Sequence, residues 1–442
     1  MKKYFSLLLC VLIIVSLLGG CSGQSGASES TQSTGTNQAA STAGSGETKT
    51  ITFGVGAGDL TNELVAGFEK ANPDIKVEVV TNETATREQV IKTGIAAGDP
   101  VDLAQYWGTR LNTFSDIGMC TDLKSYLDAD DGAWRKDITE AVLKTSTGIN
   151  GEVWGIPISA TYHVVFYNKT MMDKYGFKEP ETWDEMTKIF ETLKKDNIFG
   201  FTTNSVSMQD CMYGLTYSLL EEIKPGTAWS AANGDVSFVD TPESDAIKEV
   251  IELVKGWYNK GYWYPGEGGI NTSPDDSNAG FAQGRCMFIF NYSGALGIHE
   301  ASCDFDIGVM LKPVKKAGMK SYENMETDVY FIPSNAPKKN IDSSIKFIKY
   351  MTSQEGQQIV ADTRTVPATT LNLNISEGLK ELVGYSATGN IIAGLNPCRM
   401  GSKMQSFIKQ EVFSGPCSNT RSIDDTLKEM ENLRLVIKSQ AK

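Results

Sequence analysis

The sequence predicts an α/β protein of more than one domain, set behind a leader and a tether. Three observations lead there. Strand-like and helix-like stretches alternate from Thr50 onward. About 420 residues follow Cys21, beyond the size at which one hydrophobic core usually keeps growing. The residues ahead of Thr50 have the make-up of a signal and a linker.

Met1-Lys2-Lys3 precedes an apolar run from about Leu7 to Leu18, the pattern of a secretory signal peptide. That run is too short for a bilayer span, which needs about 20 apolar residues. Ser22 to Thr48 is polar and small almost throughout, so it reads as a flexible tether. "TITFGVGAG" then reads as a strand entering a glycine-rich turn. A helix follows, with Leu60, Leu64, Val65 and Phe68 on one face and Asn72-Pro73 as its stop. "IKVEVV" is a strand, "REQVIKTGIAAGDP" a helix ended by Gly98 and Pro100, and "VDLAQYW" a third strand. This is the βαβ pattern of a mostly parallel sheet. "TWDEMTKIFETLKKDN" has a threonine cap and an apolar face at Met186, Ile189, Phe190 and Leu193. "DAIKEVIELVKGWYNKG", "SIKFIKYMTSQEGQQIVADT" and "IDDTLKEMENLRLVIKSQ" add three more amphipathic helices. No internal repeat is visible, and nothing after Ser22 has the length and apolarity of a membrane span.

A net charge of -13 argues against a nucleic-acid partner, because phosphates need a basic surface. Only His163 and His299 are present and no C-x-x-C pair occurs, so no metal site is expected. Of the eight cysteines, six lie beyond Cys21. Cys398 and Cys417 are the pair best spaced for a local bridge; six buried free thiols are the other reading.

Leu18-Gly19-Gly20-Cys21 resembles the lipobox of bacterial lipoproteins, which implies cleavage before Cys21 and lipid on its sulfur. Four further stretches, in order, resemble the sugar-binding type (family 1) of extracellular solute-binding proteins of ABC importers. They are "ITFGVGAG" with "FEKANPDIKVEV", "GEVWGIPISATYHVVFYNKTMMDKYGFKEPETWDEM", "AGFAQGRCMFIFNYSGAL" and "DVYFIPSNAPKKNIDSSIKFIKYMTSQEGQQ". The resemblance implies a bilobal periplasmic-binding-protein-like fold, two α/β lobes joined by hinge crossings around a ligand cleft. By that resemblance residues 1–20 are the signal peptide and 21–48 the lipidated cysteine and tether. Lobe one then holds 50–159 and 328–369, and lobe two 160–327 and 370–442. The crossings fall near Ile158, Glu326 and Thr370.

A sugar offers hydroxyls around a ring and C–H groups on its faces, so its site needs polar side chains and aromatic platforms. Loops at the carboxyl ends of strands are where such groups converge. On that rule Asp59 accepts hydroxyls or caps the helix beginning at Leu60. Trp107 is a stacking platform or an interdomain packing residue, with Gln105 and Tyr106 in the same loop and Arg110 near it. At the first crossing Tyr162 is the chosen contact, with His163 packed or hydrogen-bonded. Asn204 and Gln209 are hydroxyl contacts, and Trp263 or Tyr264 projects toward the cleft, whereas the spacing of Trp257 places it in a core. Relatives of the third motif carry a glycine and a tryptophan after the strand. This chain has Asn291, Tyr292 and Ser293, leaving Tyr292 to stack. Glu326 accepts hydroxyls at the second crossing, and Arg364 clamps the ligand or braces the hinge near the third.

The function expected is capture of a sugar, more readily an oligosaccharide than one ring, and its delivery to an ABC permease. The protein is expected to be a monomer, outside the cell membrane, held by lipid on Cys21, without cofactor or catalytic residues. The alternatives are a secreted carbohydrate hydrolase, for which no G-x-S-x-G or H-E-x-x-H signature is present, and a lipoprotein that senses or adheres through a non-sugar solute.

Overall fold

The computed structural model describes residues 48–440 apart from 57, 85, 149, 206–207, 387–390 and 394–399. The signal, Cys21, nearly all of the tether and Cys398 therefore lie outside the described residues.

The strands are β1 (Lys49–Val55), β2 (Ile75–Thr81), β3 (Leu103–Trp107), β4 (Ile156–Asn168), β5 (Phe199–Thr202), β6 (Cys286–Tyr292), β7 (Ile307–Met310), β8 (Glu323–Phe331), β9 (Val366–Pro367) and β10 (Ile391–Ala393). They run in the order β2-β1-β3-β8-β4-β6-β5, with β10 on β8 and both β7 and β9 on β4. β1, β2 and β3 are parallel, as the βαβ reading expects. The departure is in the middle, where β8 pairs antiparallel with both β3 and β4. β8 arrives from far along the chain, and antiparallel pairing needs no covering crossover helix.

β4 is the longest strand and changes partners along its length. Ile156 to Tyr162 pair with β8, and His163 to Tyr167 pair with β6. It therefore joins two sheets, with a hydrophobic core beside each and a further cluster, with Tyr162, Phe166, Ile289 and Val366, across the junction. One core packs Phe53, Phe68 and Phe347 around β1. The other gathers Phe190, Phe201, Trp257, Trp263 and Phe288 around β5 and β6.

Local chemistry sets the helices. Thr182 caps the helix Trp183–Lys195 in a reciprocal capping box with Glu185, and Met186, Ile189, Phe190 and Leu193 are its buried face. Thr241 caps Pro242–Asn259 in the same way with Ser244, and Trp257 is buried on that helix as its spacing indicates. Among the described residues no helix is long and apolar enough to cross a membrane. Cys120, Cys286, Cys303 and Cys417 are free thiols, and burial pushes Cys120 and Cys417 up to about 12.

Candidate functional site

β3 ends at Trp107 and turns at once through Gly108–Arg110. A Cβ at Gly108 would lie 2.1 Å from the Thr327 hydroxyl, so the turn sits against β8 only because residue 108 has no side chain. The same turn is held by Glu326. Its carboxylate accepts the Thr109 N–H at 3.0 Å, the Thr109 hydroxyl, and the Thr327 N–H at 3.0 Å. Burial pushes the Glu326 carboxyl up to about 7, against the lowering effect of those donors.

Around Trp107 the neighbours are cationic. The Arg87 guanidinium lies 5.3 Å from the indole centroid and that of Arg110 lies 5.5 Å away. Arg87 is 6 % exposed, donates to Gln105, and fills the space left by Gly56, where a Cβ would be 2.4 Å from Nη2. Gln105 in turn donates to Asp328 at 2.7 Å, and Ser159 donates to the other Asp328 oxygen at 3.0 Å. Burial pushes the Asp328 carboxyl up, opposed by those two donors and Arg87. Tyr106 is buried against Phe114, and its hydroxyl donates to Glu88 at 2.6 Å. Burial of Glu88 is outweighed by Lys92, Tyr106 and Arg110, which together hold its carboxyl below the usual range.

These groups border a cavity of about 860 Å³ between the two sheets. Trp107, Arg110, His163, Tyr292, Glu326 and Asp328 line it. Tyr292 ends β6, is 40 % exposed, and pairs with His163 across the strands. Gln405, Ser406 and Lys409, on the helix Ser402–Gln410, also line it.

Strand parity decides which β4 side chains reach this space. Thr161 and His163 line it, whereas Tyr162 between them points the opposite way and is fully buried. Tyr162 is thus a core residue, contrary to its choice as a contact. Trp263 is also corrected: it is fully buried, 5.2 Å from the Phe201 ring and bridged to that strand. Arg364 lies away from the cavity. It donates to Glu300 at 2.6 Å and to the Asp362 carbonyl at 3.1 Å, the bracing alternative rather than the clamp. Asn204 is buried after β5 and does not line the cavity. Asp59 opens the helix Asp59–Ala71 and Gln209 lies on Met208–Tyr213; the side chains of both fall outside the described residues.

Sequence reasoning passed over Glu88, Thr109 and the three residues of Ser402–Gln410. Glu88 carries a usable local signal, since it opens a helix directly before Tyr106 and Trp107 in the βαβ order. Gln405, Ser406 and Lys409 carry none, because only the path of the chain brings them across. Among the described residues, no cluster of three or more His, Cys, Asp or Glu side chains is placed to hold a metal.

Comparison with known proteins gives a consistent picture. The profile of bacterial extracellular solute-binding proteins matches residues 63–381. The chain is 23 % identical over 315 residues to the multiple sugar-binding protein of Streptococcus mutans, covering 69 % of this chain and 70 % of that one. It is 24 % identical over 345 residues to a maltooligosaccharide ABC transporter solute-binding lipoprotein of Streptococcus pneumoniae, covering 76 % of each. In structure it is similar to a family 1 extracellular solute-binding protein from Bifidobacterium longum subsp. infantis. The TM-score is 0.71 at 21 % identity, over 88 % of this chain and 100 % of that one. The fold is the bilobal one of such proteins, and the chain belongs to the family of bacterial extracellular solute-binding proteins.

Proposed function

We propose that this protein is the extracytoplasmic substrate-binding lipoprotein of an ABC importer, which captures an oligosaccharide and hands it to the membrane permease. The observation that carries the reading is the cavity between the sheets, which Trp107, Tyr292, Glu326 and Asp328 line together. Rings take the C–H faces of a sugar and carboxylates take its hydroxyls. Arg110 and His163 add further hydrogen-bonding groups to the same walls. The sugar-binding names of the relatives above point the same way.

Lobe one comprises 50–159 and 328–369 and lobe two 160–327 and 370–442 in this reading. The partner change along β4, between Tyr162 and His163, supports a crossing on that strand. Ligand bridging the lobes shifts the population toward a closed form, which is the form the permease takes up. The protein works as a monomer without chemistry on its ligand, tethered by lipid on Cys21.

The test is thermal unfolding of residues 49–442 with malto-, xylo- and chito-oligosaccharides. A ligand that binds only the native state raises the transition, by about 2.7 kcal/mol of stabilisation at one hundred times its Kd. One series should raise it with no shortened sugar released. Release of shorter sugars would favour a hydrolase, and silence from every sugar would reject the reading.

A further inference from the structure

β3 runs beside β8 as far as Trp107 opposite Asp328, and there its pairing ends. The chain turns instead through Gly108–Arg110, with Trp107 at the N-cap position. The first N–H groups of a helical turn have no partner within it, and an indole cannot accept from them. Glu326 supplies that acceptor from β8. One of its oxygens takes the Thr109 N–H at 3.0 Å, where an N-cap side chain would stand, and the other takes the Thr109 hydroxyl. Gly108 fits beside the Thr327 and Thr145 hydroxyls, which lie 2.7 Å from each other. A second cavity, of about 700 Å³, borders Gly108 and Thr109 on one side, and the main cavity borders Trp107 and Arg110 on the other. With space on both sides, hydrogen bonds take a large share in holding this turn.

A carboxylate offers about four acceptor places. Glu326 fills three of them with the two Thr109 donors and the Thr327 N–H. Asp328 fills two, one on each oxygen, with Gln105 and Ser159. We infer that Glu326 is a positioning residue, which holds Trp107 and Arg110 at the cavity through Thr109, and that Asp328 is the carboxylate that meets the ligand. This rests on the sugar-binding reading above and divides its two carboxylates between two tasks. A glutamine at position 326 could do the first of them. Its carbonyl would accept both N–H groups, and its amide would donate to the Thr109 hydroxyl.

Two measurements on the mature protein test this. One is calorimetric titration with the oligosaccharide that most raises the unfolding transition. The other is the fluorine spectrum of ligand-free protein labelled with fluorotryptophan, the Trp107 line being assigned by its loss in Trp107→Phe. Glu326→Ala should weaken binding about tenfold and move the Trp107 line. Glu326→Gln should recover most of that loss and return the line. Thr109→Ala, a milder cut at the same link, should weaken binding less and move the line the same way. Added to Glu326→Ala it should cost little more, because the two act on one contact. A Glu326→Gln loss as large as that of Glu326→Ala overturns the inference, since the carboxylate then meets the sugar itself. Additive losses from Glu326→Ala and Thr109→Ala overturn it too, and both results leave the sugar reading standing. If no oligosaccharide binds the wild-type protein, the sugar reading falls. The ligand-free spectra then still decide the role of Glu326, and a Trp107 line unmoved in both Glu326→Ala and Thr109→Ala overturns it.

Discussion

Trp107 and Trp263 begin alike, each in a short aromatic run with polar and glycine neighbours, and finish in opposite environments. Trp107 ends β3 half-buried beside two guanidinium groups, on the wall of the main cavity. Trp263 is fully buried among rings, with Phe201 at 5.2 Å and Tyr258 at 6.0 Å. The difference comes from what the fold brings to each. Arg87 reaches Trp107 from the helix Arg87–Ala97, and Phe201 reaches Trp263 from β5. An indole among cations and carboxylates keeps an edge available to a polar ligand. One among rings serves only the core.

The contrast breaks most visibly by removing the buried ring. Trp263→Ala should cost about 3–5 kcal/mol of stability in denaturant unfolding, while the protein that remains folded binds sugar as before. An affinity change larger than the stability change would place Trp263 in the site after all.

Glu326 sharpens the comparison from the side of charge. Its folded carboxyl titrates at about 7 against an ordinary 4.5, because burial disfavours the ion. Below pH 4.5 both states are protonated, and between 4.5 and 7 the folded state holds the proton that the unfolded chain has released. Stability from this group is therefore lost as pH rises through that window, by about 3 kcal/mol. Glu326→Gln should flatten that part of the stability–pH profile. An unchanged slope would mean that the carboxylate is already ionised throughout.

The smallest effect belongs to Arg364. Its pair with Glu300 is partly exposed, so Arg364→Ala should cost about 0.2–1 kcal/mol and leave sugar affinity unchanged. A tenfold fall in affinity would return it to the ligand.

Much of the architecture was legible because it is local. The cap at Thr182, the amphipathic helical faces and the parallel run β1 to β3 all follow from neighbours in sequence. The antiparallel entry of β8 was not legible, since nothing near Glu323 to Phe331 states which strand it will meet. The site divides the same way. Trp107, Tyr292 and Glu326, read from their places at a strand end or crossing, line the cavity. Tyr162 was misplaced by one residue of strand parity, and a shift of one residue reverses the face a side chain meets. The lining from Gln405 to Lys409 comes from the far end of the chain, where the local pattern is that of an ordinary amphipathic helix.

The most direct measurement is a calorimetric titration of wild-type and Trp107→Ala protein with the oligosaccharide that most raises the unfolding transition. The account predicts that Trp107→Ala stays folded and loses at least about tenfold in affinity, because the half-buried indole lines the cavity as well as packing beside Tyr106. Equal affinity in the two proteins would contradict it, and would move the sugar away from the space between the sheets.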